Sequence, residues 1–227
     1  MTTAEEWDAW LDRSQLDTAR FGVPSTRIFP KKKSDLLRNE TFVIARIDTN
    51  DIALAQHAES VGYRLCDTLV YWRGPCVEYV GVPHGYTVRP LTSSDRQTVE
   101  DITKIVFRDY PNHYYNDVRT RSQALSIYID WATSLKDGMI YEKDSPVAYA
   151  LFGEPCELVL GGVLPEHRGS GLYRNFVQQC MSWGLERGIE EIEISTQISN
   201  LSVQRVWASL GMKPHHSYFT YHYWQCA

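Results

Sequence analysis

The sequence lacks the features that mark several broad classes of protein. It contains no run of about 18 consecutive apolar residues, so we expect no membrane-spanning helix and no membrane partner. Residues 1–6 do not resemble the start of a secretory signal, and the expected location is therefore the cytoplasm. A formal net charge of −5, with one basic cluster at residues 31–33, argues against nucleic acid as a partner.

Cysteine is scarce as well. The chain has five cysteines in 227 residues, widely spaced and without a C-x-x-C pair. An odd number at such spacing predicts reduced, mostly buried thiols rather than a disulfide framework or a zinc site, and we expect no metal. The five are Cys66, Cys76, Cys156, Cys180 and Cys226.

The most informative stretch is a glycine-rich turn between a predicted strand, CELVLGGV, and a helix predicted from Leu172 onward. Free backbone N–H groups at the start of a helix bind anions, and a phosphate or diphosphate suits such a place best. Gly169 and Gly171 allow the backbone to approach the anion, while Arg168 adds positive charge. The spacing is neither that of the dinucleotide-binding GxGxxG motif nor that of the P-loop. The alternative is a turn that only joins strand to helix.

The pattern V-x-P-x-x-R-G-x-G-[ILV] at this turn resembles the acyl-CoA diphosphate motif of the GNAT superfamily of N-acyltransferases. The resemblance implies an α/β (α+β) fold, with a mixed, mostly antiparallel, splayed sheet flanked by helices. It also implies acyl-CoA, acetyl or longer, as co-substrate. The family usually has Gly or Ala where this chain has Tyr173. By resemblance, acyl-CoA would contact Leu160, Gly161, Gly162, Val163, Arg168, Gly169, Ser170, Gly171, Leu172, Tyr173 and Asn200.

A second family pattern, N-x6-[YW]-x3-G, matches Asn200, Trp207 and Gly211. Asn200 would contact the donor, although a plain helix N-cap explains it as well. At position 207 the family commonly has Tyr, whose phenol can protonate the leaving thiolate. Trp207 has only an indole N–H, which is no acid near neutral pH, so another acid or water must serve. A thiolate with a pKa of about 8.5 also leaves reasonably well unaided.

The base that deprotonates an attacking amine has several candidates. Glu157 lies six residues before Val163, a register in which some GNAT enzymes carry a catalytic glutamate. A solvent-facing residue at a strand end would need no function. Among the histidines His113 is the best placed, with His84, His215 and His216 as further possibilities, because imidazole titrates near pH 6.5. A structural role is the alternative for each.

Aromatic and charged residues crowd the segment FRDYPNHYYNDVRTRSQALSIYIDW, which borders the acceptor pocket in GNAT enzymes. Aromatic faces stack on a base or sugar, Arg pairs with phosphate, and Asp holds an ammonium group. This mixture favours a nucleotide-linked amino sugar, although Tyr128 and Trp131 also suit a helix core. The predicted substrate-binding residues are Tyr110, His113, Tyr114, Asp117, Arg119 and Tyr128.

The chain also contains a possible internal repeat. Aligning Asp51 with Asn200 without a gap sets Gly62 on Gly211, and in both copies an aromatic strand follows the glycine. We therefore predict a partial GNAT-like domain at residues 1–80 and a complete acyl-CoA-binding catalytic domain at 81–227. Two unrelated helix-to-strand joints are the alternative.

The predicted elements follow the order expected of that fold. Residues 5–20 form an amphipathic helix and 41–74 a β-α-β unit. From about residue 85 the order is β-α-α-β-β-β-α-β-α-β, with the second helix at 116–136 and a hairpin turn at 143–146.

A narrower resemblance concerns the substrate. The two-part organisation and the run ISTQISNLSVQRVWASLG are similar to bacterial dTDP-amino-sugar N-acyltransferases of the dTDP-fucosamine acetyltransferase type. This implies acyl transfer to the amine of a dTDP-linked aminodeoxy sugar, a step toward surface polysaccharide, by a homodimer. The alternatives are a GNAT enzyme for another amine (a protein N-terminus, polyamine or antibiotic) and a non-catalytic acyl-CoA-binding module.

Overall fold

A computed structural model describes residues 15–37, 39–154 and 156–225. They form two compact units that interleave along the sequence. The first unit holds the described residues up to Val70, the segment Pro111–Gln123, and the residues from His216 onward. The second unit holds Tyr71–Tyr110 and Ala124–His215. The domain boundary between residues 80 and 81 stays a prediction.

The predicted strands and helices appear in the expected order. The structure adds a strand at Ser25–Ile28, ahead of the predicted β-α-β unit, and a single helical turn at His113–Asn116. The strands are β1 Ser25–Ile28, β2 Phe42–Asp48, β3 Arg64–Pro75, β4 Thr87–Pro90, β5 Gly138–Lys143, β6 Ser145–Gly153, β7 Glu157–Val163, β8 Glu191–Gln197 and β9 Lys213–Trp224. The helices are α1 Ile52–Ser60, α2 Arg96–Val106, α3 His113–Asn116, α4 Ala124–Ser134, α5 Leu172–Glu186 and α6 Leu201–Ser209. Residues 15–21 are also helical, and the start of the helix predicted for 5–20 lies outside the described residues.

Strand β2 organises the first unit. It pairs in parallel with β1 and antiparallel with β9, in a register that sets Phe42 opposite Trp224. Alternate side chains of β2 pack with the apolar residues of α1, because successive residues of a strand point to opposite faces. That core includes Val43, Ala45, Ile47, Leu54, Ala55, Ala58 and Tyr221.

The second unit is built on an antiparallel sheet with the order β4-β5-β6-β7. Strands β5 and β6 are joined at Asp144, which has a φ of 64° in the predicted turn. Helix α2 packs with this sheet, and the Thr103 hydroxyl lies 2.8 Å from the Tyr149 hydroxyl of β6. Opposite Tyr149 in the register of β6 and β7 is Gly162, so this packing fixes the C-terminal end of β7.

The helix predicted for residues 116–136 begins later than expected. Helix α4 starts at Ala124, preceded by the single turn α3 and a 3₁₀ turn at Arg121–Gln123. The cause lies at Asp117, whose carboxylate accepts a hydrogen bond from the backbone N–H of Arg119 at 2.9 Å. Such a local side-chain bond offers the backbone an alternative to helix.

The two strands that flank the glycine turn belong to different sheets. Strand β7 ends the β4-β5-β6-β7 sheet, whereas β8 lies at the edge of the sheet in which it neighbours β3. Within the described residues, therefore, β7 and β8 do not pair. This splayed, mostly antiparallel sheet with flanking helices confirms the predicted fold class. In the described part of the chain no helix has the length and apolar character needed to cross a membrane.

The two segments aligned in the proposed repeat share local features, although the repeat itself stays a prediction. Helices α1 and α6 each have nine residues and are followed by a glycine in the left-handed region, Gly62 at φ 96° and Gly211 at φ 82°. The copies differ at their first residue. Asp51 caps α1 by accepting a hydrogen bond from the Leu54 N–H at 2.9 Å, whereas the Asn200 side chain makes no capping bond.

Candidate functional site

The backbone edge of β7 is the first component of the site. Its partner β6 occupies one edge, and the other faces the split toward β8. Glycine allows close packing here: a Cβ on Gly161 would lie 2.9 Å from Phe176 Cδ2, and one on Gly162 3.0 Å from Tyr149 Cε1. The strand therefore stays close to α5 on one side and to the Tyr149 ring on the other. The predicted strand residues Leu160, Gly161, Gly162 and Val163 line this edge.

The glycine turn that follows carries the second component. Gly169 and Gly171 adopt φ values of 77° and 89°, which L-residues with a Cβ rarely adopt. Gly171 is the N-cap of α5, and no side chain of the described residues caps that helix. The first N–H groups of α5 are thus left for a ligand, at the positive end of its dipole. The exposed Arg168 stands beside them, so the turn has the geometry of an anion site.

A neighbouring segment holds this turn in place. Asn175, in the second turn of α5, donates to the Gly81 carbonyl at 2.7 Å and accepts from the Tyr79 hydroxyl at 3.2 Å. The Tyr86 hydroxyl lies 3.1 Å from Nδ1 of His167 in the turn itself. Residues 79–86 therefore pack along the start of α5. Their role in bracing the turn was not predicted from sequence.

The third component is a polar network at the end of β8. Asn200 Nδ2 donates to Tyr110 Oη and to Thr196 Oγ1, both at 3.0 Å. The Tyr110 hydroxyl in turn donates to Gln197 Oε1 at 2.7 Å. This explains why Asn200 does not cap its helix: its side chain is turned toward β8. Gln197 and Thr196 had no predicted role, although they precede Asn200 in the T-Q-x-x-N run.

Aromatic rings extend this network within the second unit. The Tyr128 ring stacks on Phe107 with centroids 4.5 Å apart and meets Tyr110 edge-on at 5.9 Å. Two of the predicted substrate-binding residues, Tyr110 and Tyr128, are thereby brought together. Phe107 was not predicted, and its place in a helical stripe at the end of α2 gave no signal beyond core packing.

The other predicted acceptor residues lie in the first unit and form a buried network there. Nδ1 of His113 lies 2.8 Å from Nε2 of His222, whose Nδ1 lies 2.8 Å from Asp117 Oδ2. Arg119 donates two guanidinium hydrogen bonds to Asp117, from Nε at 2.8 Å and Nη2 at 2.9 Å. The Tyr114 hydroxyl is bonded to Arg27. Sequence reasoning missed His222, which only the pairing of β9 brings here.

This environment shifts the acid–base properties of the network. Burial lowers the pKa of His113 well below its ordinary value, and burial likewise lowers that of His222 despite the nearby carboxylate. Hydrogen bonds from His222 and Arg119 hold the pKa of Asp117 well below its usual range, against the effect of burial. Both histidines are therefore neutral near pH 7. A role for His113, Tyr114, Asp117 or Arg119 in binding or catalysis stays a prediction.

The candidate bases occupy different surroundings. Glu157 is exposed at the first position of β7, opposite Gly153 of β6. At about 3.3 Å per residue, it lies roughly 20 Å along the strand from Val163. His84 and His215 are exposed, and His216 is half-buried in the first unit. The base therefore stays a prediction.

Trp207 and Tyr173 complete the second unit's share of the site. Trp207 is buried on α6, at 1% exposure, and its buried indole N–H has no hydrogen-bond partner among the described residues. Tyr173 is half-buried in the first turn of α5, and burial raises the pKa of its phenol.

Comparison with known proteins places this arrangement in context. Residues 99–212, half of the chain, match the model of the acetyltransferase (GNAT) family. A GCN5-related N-acetyltransferase from Sphaerobacter thermophilus matches with a TM-score of 0.59 and 18% identity over 81% of this chain and 59% of that one. A functionally unknown conserved protein from Staphylococcus epidermidis also gives 0.59, at 10% identity over 100% and 82%.

A tandem GNAT protein from the clavulanic acid biosynthesis pathway gives a TM-score of 0.54 at 15% identity, over 81% of this chain and 64% of that one. Such low identities show a shared fold alone. The chain spans less than two thirds of the length of each of the first structures it matches. No curated protein sequence matches it.

Proposed function

The chain belongs to the acetyltransferase (GNAT) family, an acyl-CoA-dependent family, and on that premise we propose that it acylates the amine of a dTDP-linked aminodeoxy sugar. The separation of β7 from β8 beside the uncapped glycine turn carries the proposal. A free strand edge next to a helix N-terminus suits a ligand with an amide-containing arm and a diphosphate.

The donor side follows from the backbone. N–H groups from Gly169 to Tyr173, with the guanidinium of Arg168, would hold the diphosphate, and the edge of Leu160–Val163 would bond the amides of the arm. Acyl-CoA supplies the acyl group as an activated thioester. N–H groups at Gly162 and Val163 would polarise its carbonyl, and Asn200 and Trp207 would contact it from the α6 side.

The acceptor side rests on the Tyr110 network. The Tyr110 ring would offer a face to a base or sugar, with the buried Tyr128 ring packed behind it, and the amides of Gln197 and Asn200 would offer donors and acceptors to its polar groups. Holding amine and thioester in contact supplies much of the acceleration without a covalent enzyme intermediate. Glu157 is the proposed base, and because it lies at the far end of β7 the amine proton would have to reach it through a chain of several waters.

The test is turnover with defined substrates. We expect release of free thiol, and formation of an amide identified by mass spectrometry, when the protein is mixed with acetyl-CoA and a panel of dTDP-amino sugars. Several acyl chain lengths should be included. If the protein acylates polyamines or peptides, and calorimetry shows no binding of dTDP, the acceptor is one of those amines and not a dTDP-linked sugar. Binding of CoA without turnover of any amine would instead favour a non-catalytic module.

Two further properties, location and oligomeric state, are also proposed. We place the enzyme in the cytoplasm, where acyl-CoA and nucleotide sugars occur together, and expect it to act as a homodimer. Sedimentation equilibrium at micromolar concentration tests the dimer, and a single species of 26.2 kDa would refute it.

A further inference from the structure

Three cysteines of the second unit come together in its interior. Cys76 follows β3, Cys156 precedes β7, and Cys180 lies on α5. Sγ of Cys156 is 3.6 Å from Sγ of Cys180, and each sulfur also contacts the carbonyl oxygen of the other residue, at 2.7 Å and 3.5 Å. These two residues are buried, at 6% and 0% exposure, whereas Cys76 is half-buried. The buried pair therefore has its sulfur atoms in contact while both are free thiols.

Helix α5 makes room for this cluster at Gly184, one turn after Cys180. A Cβ on Gly184 would lie 2.6 Å from Cys76 Sγ and 3.2 Å from Cys156 Sγ. Glycine is unfavourable in the interior of a helix, because it gives up more conformational freedom than other residues. At this position two sulfur atoms occupy the space that a side chain would take, so the packing of the thiols depends on the glycine.

The two thiols in contact differ in acidity. The hydrogen bond from Cys180 holds the pKa of the Cys156 thiol below its ordinary value, and the nearby charge of Arg187 adds to this against the effect of burial. Donating that hydrogen bond raises the pKa of Cys180, and burial raises it further. The thiolate, rather than the thiol, is the form that attacks an oxidant. Cys156 is thus the thiol that reacts first, with Cys180 beside it to complete a bond.

We propose that Cys156 and Cys180 form a modification site, at which hydrogen peroxide closes a reversible disulfide. The inference does not depend on which amine the proposed function assigns. Peroxide transfers one oxygen to the Cys156 sulfur, which becomes a sulfenic acid, and one water is released. The Cys180 sulfur then bonds to the Cys156 sulfur, and the hydroxyl leaves with the Cys180 proton as a second water. The peroxide gains two electrons and the two thiols lose two.

The disulfide would close a covalent loop around the glycine turn. Cys156 and Cys180 are 24 residues apart, and between them lie β7, the turn and the first part of α5. A crosslink of this kind stabilises the folded chain, because the unfolded loop loses conformational freedom. It forms here between atoms that are already in contact, so the fold does not have to rearrange first. Oxidation should therefore fasten β7 to α5 and make this part of the molecule more stable.

The experiment uses the full chain, completely reduced and then freed of reductant. After treatment of the folded protein with hydrogen peroxide, we expect the thiol count under denaturing conditions to fall from five to three. Peptide mapping by mass spectrometry should find Cys156 linked to Cys180. The melting temperature should rise by about 5 °C and return to its starting value with dithiothreitol. A thiol count that stays at five, or a Cys156 disulfide to Cys76 instead, overturns the inference.

Matched variants separate this pair from general oxidation. Cys66→Ser changes a half-buried cysteine of the first unit, and the crosslink and the rise in melting temperature should match those of the wild type. Cys180→Ser keeps the size of the side chain and should abolish both. The same rise after peroxide treatment of Cys180→Ser would refute the crosslink.

A control in urea does not depend on the folding of any variant. In the unfolded wild-type chain the two sulfurs are no longer held together, and peroxide should give a mixture of disulfides. Formation of the Cys156–Cys180 bond in the same yield with and without urea would show that the folded contact plays no part, and would also overturn the inference.

Discussion

Asp117 and His222 face each other inside the first unit, with Asp117 Oδ2 2.8 Å from Nδ1 of His222. The other ring nitrogen of His222 lies 2.8 Å from Nδ1 of His113, and both imidazoles are buried. With neutral rings, His113 can donate to His222 and His222 to the carboxylate, so both hydrogen bonds form without an added proton. A proton added to either imidazole would bring a second charge, besides that of Asp117, into this buried network.

The first prediction concerns acid stability. Both histidine pKa values are lower in the folded protein than in the unfolded chain, so below about pH 6.5 the unfolded chain binds more protons. Stability should be complete above that pH and should fall below it, by about 1.4 kcal/mol per pH unit for each histidine. Urea denaturation at pH 7.5, 6 and 5 measures this. His113→Gln should flatten the slope, whereas exposed His84→Asn should not; equal stability at all three pH values contradicts the prediction.

The second prediction concerns the glycine turn. Arg168→Ala removes an exposed charge beside the free amides of α5, and we expect CoA to bind about tenfold more weakly, with a smaller dependence on salt. Titration calorimetry at two ionic strengths is the measurement. Arg187→Ala, at the opposite end of the same helix, is the matched control and should bind CoA as the wild type does.

The third prediction compares the first residues of the two helices that the proposed repeat aligns. Asp51 caps its helix and Asn200 does not, so Asp51→Ala should lower the free energy of unfolding by about 1 kcal/mol and leave turnover unchanged. Asn200→Ala should have little effect on stability but raise KM, because it removes the amide that holds Tyr110 and Thr196. Reversal of the two effects would show that Asn200 is a structural cap.

The fourth prediction tests the base. Glu157→Gln keeps the size of the side chain and removes the carboxylate, so we expect kcat to fall about 100-fold at neutral pH, with partial recovery as pH rises. Glu154→Gln, an exposed carboxylate at the preceding turn, is the control. A wild-type kcat in Glu157→Gln would show that Glu157 is not the base and that a histidine or solvent takes the amine proton.

The fifth prediction concerns metals. Cys66, Asp117 and His222 offer three potential ligand atoms within 4.8 Å of one another. Burial raises the pKa of the Cys66 thiol to about 12, and Arg119 already neutralises Asp117, so the cluster is poorly prepared for a cation. We expect Zn²⁺ to leave the melting temperature unchanged and EDTA to leave activity unchanged. A rise of several degrees with Zn²⁺ would reveal a site.

The sequence predicted best where the physics is local. The strand, glycine turn and helix at residues 157–186 could be recognised because helical spacing and left-handed glycines act over a few residues. The predicted start of the helix at 116–136 was wrong because the Asp117 carboxylate bonds the Arg119 N–H in a local turn. That carboxylate also bonds His222, which lies 105 residues away and could not be foreseen from a local pattern. The predicted substrate-binding residues fall into two separate groups for a related reason. Tyr110 and His113 are close in sequence but belong to different compact units.

By itself the sequence determined the family and most of the order of strands and helices, and it predicts an anion site at the glycine turn, since each of these depends on neighbouring residues. Only the tertiary structure decided that Asn200 turns from its helix toward Tyr110, and that His222 completes a buried network with Asp117. These contacts join residues far apart in the chain, and they depend on which strands pair and which helix faces pack, information that no short pattern contains.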